Sequence, residues 1–178
     1  MQNEIKTIAV IGATEKGRAL AEAALRAGYR IVLEDVVEAR LHQAARSLAE
    51  LGPEIHRRLL LANTVEEALR EADLVIEAVA DEMEMKLELF TIFDKFAKAN
   101  AILASTSESI PIQDLAEMTV CPERCMGFRL VSTCKVELRC AAKTAQETIA
   151  AFTEVAKRMG REVAVISDSR GAHARQSL

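Results

Sequence analysis

The sequence predicts an α/β fold in which a doubly wound, mostly parallel sheet carries helices on both faces. Three observations predict it. Short runs rich in Val, Ile and Leu alternate with amphipathic stretches along the 178 residues. Strands that are connected by helices usually pair in parallel, with the helices packed on the sheet. Glycines follow several helical stretches, at Gly28, Gly52-Pro53 and Gly160, where helices commonly end. A hydrophobic content of 50% is enough to form the core of one domain.

The elements follow from local periodicity. Apolar runs of four to eight residues indicate strands, and apolar residues recurring every three or four positions indicate helices. Strands are expected near 6–11, 30–34, 59–62, 73–79, 101–105, 124–130, 135–139 and 162–166. Helices are expected near 16–27, 36–51, 64–71, 82–97, 111–117 and 144–159. Apolar periodicity is lost after 166, so residues 1–166 are predicted to form a single domain and 167–178 a frayed tail.

The first strand ends in a glycine turn. Its apolar run, residues 8–11, is followed by the hexapeptide GATEKG and an Ala/Leu-rich helix. In the G-x-G-x-x-G fingerprint, the first glycine makes the turn, the second admits a pyrophosphate to bare backbone and the third lets the helix pack on the strand. Gly12 and Gly17 occupy the first and third positions, but Thr14 occupies the second. This pattern predicts a Rossmann-type dinucleotide-binding domain.

The same turn predicts weakened cofactor binding. The phosphates should meet the turn at Ala13, Thr14 and the start of the helix, where a helix N-terminus favours negative charge. The side chain of Thr14 and the carboxylate of Glu15 stand at that place instead. We therefore expect dinucleotide binding to be weak or lost.

The second strand ends at Glu34-Asp35, about twenty residues after the glycine turn, where the fingerprint places a carboxylate that binds the ribose hydroxyls. An acid there favours NAD over NADP, because a 2′-phosphate would meet like charge. The alternative is that Glu34 and Asp35 only cap the next helix. We favour the ribose role for Asp35.

Composition excludes several classes of function. A net charge of −4 without a basic tract argues against nucleic acid or an anionic membrane as a partner. The apolar runs are too short to span a bilayer, and the first residues do not resemble a signal peptide, so a cytoplasmic location is expected. The four cysteines lack metal-site spacing and are expected to be mostly buried thiols, with no metal bound.

The segment Ala72–Phe90 resembles a known signature. Its sequence, ADLVIEAVADEMEMKLELF, is similar to the ADLVIEAV-E-x-x-x-x-K-x-x-LF segment of the 3-hydroxyacyl-CoA dehydrogenases, oxidoreductases of fatty acid metabolism. The resemblance continues along the chain through Ile102-Leu103-Ala104-Ser105, Pro122-Glu123-Arg124, Gly127, Asp168 and Gly171. It is to the NAD-binding domain alone. No counterpart is expected here of the family's helical second domain, which closes the substrate cleft.

The resemblance implies a set of NAD contacts and a lost catalytic centre. The positions that match the family's NAD contacts are Gly12, Gly17, Asp35, Ala78, Asp81 and Lys86, with Asp81 in place of the usual Glu. The family's catalytic His, in G-L-H-F-F-N-P, matches Arg129, and the acid that orients it matches Glu137. The Ser of the family's Asn-Thr-Ser matches Glu108. No catalytic position is intact, because arginine does not release its proton at neutral pH.

The leading hypothesis is a stand-alone NAD-binding or sensor module with impaired catalysis. One rival is an active dehydrogenase completed by another subunit, and another is an interaction protein that has lost its ligand. A weaker similarity relates GATEKG to CoA-binding domains of acyl-CoA synthetases. A homo-oligomer or a protein partner is expected to cover the surface left by the missing domain. Arg129 and Glu137 are expected to form a salt bridge on neighbouring strands.

Overall fold

The computed structural model describes residues 4–168. Their strands form one eight-stranded sheet in the order β3-β2-β1-β4-β5-β6-β7-β8. The pairings are parallel except between β6 and β7, which run antiparallel. The strands are β1 (Thr7–Ile11), β2 (Arg30–Glu34), β3 (Leu59–Ala62), β4 (Leu74–Glu77), β5 (Ile102–Ser105), β6 (Cys125–Leu130), β7 (Lys135–Cys140) and β8 (Glu162–Ser167).

Helices cover both faces of this sheet. They are α1 (Glu15–Arg26), α2 (Glu38–Ala49), α3 (Pro53–His56), α4 (Val65–Leu69), α5 (Met83–Phe96), α6 (Ile112–Ala116) and α7 (Gln146–Arg158). A 3-10 turn at Pro122–Arg124 precedes β6. The side chains of α1, α2 and α7 pack on one face, and those of α4, α5 and α6 pack on the other. The predicted Rossmann-type, mostly parallel fold is confirmed.

The strand order reverses at the centre of the sheet. The chain proceeds outward from β1 through β2 to β3, then crosses back so that β4 pairs with the other side of β1. The helices on the two sides diverge at this switch point, which opens a crevice at the carboxyl ends of β1 and β4. Candidate ligand-binding residues are therefore sought at that edge.

Two expectations about element boundaries were wrong. Gly52-Pro53 was expected only to end a helix, but Pro53 also begins the four-residue α3, because its fixed φ suits the first turn of a helix. The last strand also continues past residue 166, where the tail was expected to begin. Ser167 completes β8, and the Asp168 carboxylate accepts a hydrogen bond from the Ile112 N–H at the start of α6. The rest of the expected tail lies outside the described residues.

The expectation that most cysteines are buried was also wrong. Of the four, which are free thiols, only Cys125 is buried, whereas Cys121 and Cys140 are half-buried and Cys134 is exposed. Within residues 4–168, no helix has the length and hydropathy required to cross a membrane.

Candidate functional site

The glycine turn brings β1 and α1 into close contact with the end of β4. Gly12 has a φ of +104°, and a Cβ there would lie 2.9 Å from the carbonyl carbon of Ala78. A Cβ at Gly17 would collide with the carbonyl oxygen of Gly12. Both positions therefore require glycine, for the turn and for helix packing respectively, as the fingerprint predicts.

Thr14 closes the N-terminus of α1. It is the residue that caps the helix, and its hydroxyl oxygen accepts the Gly17 N–H at 3.2 Å. The same hydroxyl donates to the Ala78 carbonyl at 2.7 Å. One of the amides that would otherwise meet a phosphate is thus paired within the protein. Glu15 follows as an exposed acidic residue in the first turn.

Asp35 ties the glycine turn to the end of β2. Its Oδ2 accepts the Ala13 N–H at 2.8 Å and lies 3.2 Å from Nε of Arg40. Its Oδ1 accepts the Val37 N–H at 2.8 Å. The alternative helix-capping role is not what the side chain does, because α2 begins after Val37 without a side-chain cap. Asp35 is therefore positioned beside the turn, although both its oxygens already have partners.

A cavity of about 270 Å³ lies between the ends of β1 and β2 and the start of α5. Its polar lining includes Glu34, Asp35 and Arg40. Apolar residues form much of the rest, including Val65, Met85, Leu89, Val79 and Val36. A mostly apolar cavity with a few polar groups is the usual form of a small-molecule site, and the fingerprint places the adenosine half of a dinucleotide here.

Lys86 forms a buried ion pair. Its side chain is 1% exposed, and its Nζ lies 2.6 Å from both carboxylate oxygens of Glu77. Glu77 also accepts the Ser105 hydroxyl and the Val79 N–H. Lys86 was predicted to contact the cofactor. In this structure it holds the end of β4 and the loop that follows, so a direct contact with a ligand stays a prediction.

Asp81 gathers the loop that follows β5. Its Oδ1 accepts the Ser107 hydroxyl, and its Oδ2 accepts the hydroxyl and N–H of Ser109 at 2.6 and 3.1 Å. Burial would raise the pKa of Asp81, but the hydrogen bonds from Ser107 and Ser109 outweigh it and hold that pKa well below its usual range. Asp81 is therefore ionised and anchors the loop that carries Glu108.

Arg129 and Glu137 form the predicted salt bridge. They are directly opposite each other on β6 and β7. Nε and Nη2 of Arg129 lie 3.0 and 2.7 Å from the same oxygen, Oε2 of Glu137. The side chains are 33% and 19% exposed. The guanidinium thus stands where the resemblance places a catalytic base, with a carboxylate already bound.

Glu108 pairs across a broad groove. Its Oε1 lies 3.3 Å from Nζ of Lys16, which also reaches the Thr106 carbonyl. The groove, of about 730 Å³, runs from the glycine turn to the ends of β5 and β6, and Leu130 also lines it. A negative group at Glu108 would be repelled by a developing oxyanion. Within residues 4–168, no cluster of three or more acidic, His or Cys side chains is placed to hold a metal ion.

The roles of three residues at this site were not predicted from the sequence. Glu77 ends an otherwise apolar strand, LVIE, and a charge at the end of a buried strand was a usable signal. Arg139 is buried on β7, where its Nη2 donates to the Ser107 carbonyl and its Nε has no partner within the described residues. It lies over Gly127, where a Cβ would be 3.0 Å from its own. Glu34 was considered together with Asp35 as the ribose-binding acid or as a helix cap, but its place in the cavity lining was not predicted.

Known proteins resemble this chain along most of its length. Residues 7–169 match the family described as the 3-hydroxyacyl-CoA dehydrogenase, NAD binding domain. A probable 3-hydroxybutyryl-CoA dehydrogenase of Bacillus subtilis (strain 168) is 32% identical over 185 residues, which cover 94% of this chain and 64% of that protein. The chain therefore spans less than two thirds of that relative's length.

Solved structures resemble it in the same way. (S)-3-hydroxybutyryl-CoA dehydrogenase PaaH1 from Ralstonia eutropha superposes with a TM-score of 0.85 at 26% identity, covering 94% of this chain and 65% of that one. 3-Hydroxybutyryl-CoA dehydrogenase from Escherichia coli K12 gives 0.87 at 26% identity, covering 93% and 39%. In each comparison the matched part includes nearly all of this chain and only part of its relative.

Proposed function

The chain belongs to the 3-hydroxyacyl-CoA dehydrogenase family, as its NAD-binding domain, and we propose that it binds NAD(H) without itself oxidising a 3-hydroxyacyl-CoA. The adenosine half would occupy the cavity between Glu34, Asp35 and α5. The pyrophosphate would lie at the glycine turn. The nicotinamide half would extend into the groove lined by Thr106 and Leu130.

The residues present fit NAD better at the adenosine end than at the pyrophosphate. Around the adenosine, the cavity offers apolar walls and the Asp35 carboxylate. At the pyrophosphate, the Thr14 hydroxyl takes the Gly17 amide and Asp35 takes the Ala13 amide. Phosphate oxygens must compete with these internal partners or displace them, which supports weak binding.

The salt bridge between Arg129 and Glu137 carries the proposal of impaired catalysis. NAD would supply the hydride acceptor for oxidation of the alcohol, and the protein would have to supply a base for the hydroxyl proton. Arg129 stays protonated at neutral pH and cannot serve. Glu108 offers no donor with which to polarise the substrate oxygen, since a carboxylate only accepts.

Titration of the purified chain with NADH, followed by nicotinamide fluorescence, tests binding. The same preparation is then assayed for NAD reduction with 3-hydroxybutyryl-CoA. We expect saturable NADH binding and no turnover. Turnover at ordinary enzyme rates, by the chain alone or with an added subunit, would refute impaired catalysis, and no binding at all would support the interaction-protein alternative.

A pair of exposed valines provides a matched control for the site. Val36 is 92% exposed and lines the cavity, whereas Val120 is 83% exposed and lies outside it. Val36→Asp places a second carboxylate beside the ribose position and should weaken NADH binding about tenfold, or by about 1.4 kcal/mol. Val120→Asp should leave the affinity unchanged, because it adds the same charge away from the cavity.

A further inference from the structure

Glu34 is a buried residue that lines the cavity, and its carboxyl group has no hydrogen-bond partner among residues 4–168. It ends β2, and the residue is 5% exposed. Its backbone carbonyl accepts the Gly12 N–H at 2.8 Å, which fixes the strand end against the glycine turn. Its side chain lines the cavity. Within residues 4–168, no donor lies within hydrogen-bonding distance of the Glu34 carboxyl oxygens, whereas buried polar groups are normally paired.

The charged groups near Glu34 do not stabilise its ionised carboxylate. Asp35 follows it directly, just past the end of β2, and Glu66 of α4 is near enough to repel it. Arg40 of α2 lines the same cavity, but its Nε is 3.2 Å from Asp35. The residues of α5 that line the cavity are the apolar Met85 and Leu89. Burial, followed by repulsion from Asp35 and Glu66, raises the pKa of Glu34 to about 7.

The expected position of the dinucleotide brings its base to this carboxyl. With the pyrophosphate at the glycine turn and the ribose at Asp35, the adenine extends into the remaining part of the cavity. Val65 and Leu89 provide apolar walls there for a flat ring. Glu34 is one of the polar residues of this lining, and in such cavities a few polar groups set the orientation of the ligand.

We infer that Glu34, in its protonated form, recognises the adenine of NAD(H) and makes cofactor binding dependent on pH. This inference rests on the proposed NAD binding. A neutral carboxylic acid has one donor and one acceptor, which match a ring nitrogen and the adjacent 6-amino group of adenine. An ionised carboxylate only accepts, so it keeps one of these bonds and sets its charge against the lone pair of the ring nitrogen. It also adds negative charge near the pyrophosphate.

The direction of the pH dependence follows from linkage. The bound adenine and pyrophosphate both favour the protonated carboxyl, so the pKa of Glu34 rises further in the complex. Binding then takes up a proton, and the affinity falls by up to about tenfold for each pH unit between the free and the bound pKa. At pH values below both, the affinity is at its maximum and constant.

The test compares the wild-type chain with Glu34→Gln. An uncharged amide keeps one donor and one acceptor at every pH. We expect wild-type NADH affinity to fall about tenfold or more between about pH 6 and about pH 8.5. Glu34→Gln should bind equally at both pH values, with an affinity near that of wild type at the lower one. Glu66→Gln is the control: its change removes one of the negative charges that raise the pKa of Glu34, so the pH dependence should remain but move to lower pH.

A second measurement needs no variant. Calorimetric titration with ADP-ribose near pH 7.5, in two buffers of different ionisation enthalpy, should show net proton uptake by the wild-type chain. Equal wild-type affinity at both pH values, or pH dependence that persists in Glu34→Gln, would overturn the role of Glu34 while leaving NAD binding intact. If neither protein bound NADH at either pH, the proposed function itself would fall.

Discussion

The two halves of the sheet's carboxyl edge treat their charged groups differently. At the end of β2, the carboxyl of Glu34 faces a cavity with no donor bound to it within the described residues. On the strands from β4 to β7, two carboxylates are paired with cations within the chain, Glu77 with Lys86 and Glu137 with Arg129. Polar groups left unpaired beside a cavity are available to a ligand, whereas paired groups mainly stabilise the fold.

This contrast separates binding from chemistry. The half that holds the glycine turn keeps the geometry a dinucleotide requires, with Thr14 as its main departure from the fingerprint. In the half proposed to face the alcohol, Arg129 stands where the resemblance places the family's proton acceptor. On this proposal, the fold keeps a nucleotide cavity while the positions that match catalytic residues belong to an ion pair within the protein.

The largest effect is expected from replacing Lys86, whose buried ion pair with Glu77 lies in the half of the sheet edge where charges are paired. Lys86→Met leaves the Glu77 carboxylate buried without its cation and should lower the free energy of unfolding by about 3–5 kcal/mol. Urea unfolding followed by circular dichroism measures it. The double variant Lys86→Met/Glu77→Gln is the control and should recover much of the loss, because no uncompensated charge remains. Equal losses in the two variants would mean that the ion pair is not what stabilises this region.

Replacing Asp81 should have a smaller effect on stability, and this effect should depend on pH. Asp81→Asn should cost about 1–2 kcal/mol, a figure reduced because the side chain is 36% exposed and screened by solvent. Since its folded pKa lies below its ordinary value, the stabilisation is present above about pH 4 and is lost as the pH falls through the folded pKa. The difference between wild type and variant should therefore shrink between about pH 7 and about pH 3. A constant difference would contradict this account.

A variant at Thr14 tests the half of the sheet edge that holds the glycine turn and the cavity. Thr14→Gly combined with Glu15→Gln frees the Gly17 amide and removes a carboxylate from the helix N-terminus, so NADH should bind about tenfold more tightly, or by about 1.4 kcal/mol. Glu147 is likewise an acidic residue in the first turn of a helix, α7, which does not line the cavity, and Glu147→Gln should leave NADH affinity unchanged. Unchanged affinity in the Thr14/Glu15 variant would mean that the phosphates do not lie at the turn.

The smallest effect concerns Arg129. Arg129→Ala should destabilise the fold by about 0.5–1 kcal/mol, because its pair with Glu137 is only partly buried. NADH affinity should not change. Arg57→Ala, which removes a pair with side chains 74% and 78% exposed, should have a smaller effect on stability. Loss of sulfate binding in Arg129→Ala, measured by calorimetry, would instead indicate that the guanidinium serves an anion.

Much of the fold was predictable because it depends on local signals. The strand expected at 30–34 is observed as Arg30–Glu34, and that expected at 73–79 is observed as the shorter Leu74–Glu77. Both are short apolar runs between helical stretches, a pattern that specifies buried parallel strands. The short α3 escaped prediction because four residues are too few to show helical periodicity.

The site was predictable where a backbone requirement selects the residue. Only glycine suits the φ at Gly12 and the helix contact at Gly17. These two constraints produce a glycine spacing that is recognisable in the sequence. The roles of other positions depend on residues far away in the sequence. Lys86 is placed among the predicted cofactor contacts by resemblance, yet its partner Glu77 and the Ser105 hydroxyl bound to that carboxylate come together only when β4, β5 and α5 pack.

The sequence by itself determined the parallel α/β fold, the glycine turn and the arginine at position 129, where the resemblance places a proton acceptor, because each is a property of single residues or of local spacing. The tertiary structure decided which charges are paired and which face a cavity. Glu34 and Glu77 are both glutamates at the ends of apolar strands. Glu77 is paired with Lys86, whereas the charges nearest to Glu34 are those of Asp35 and Glu66. Electrostatic environment depends on distances between elements remote in sequence, so only the packed structure distinguishes the two.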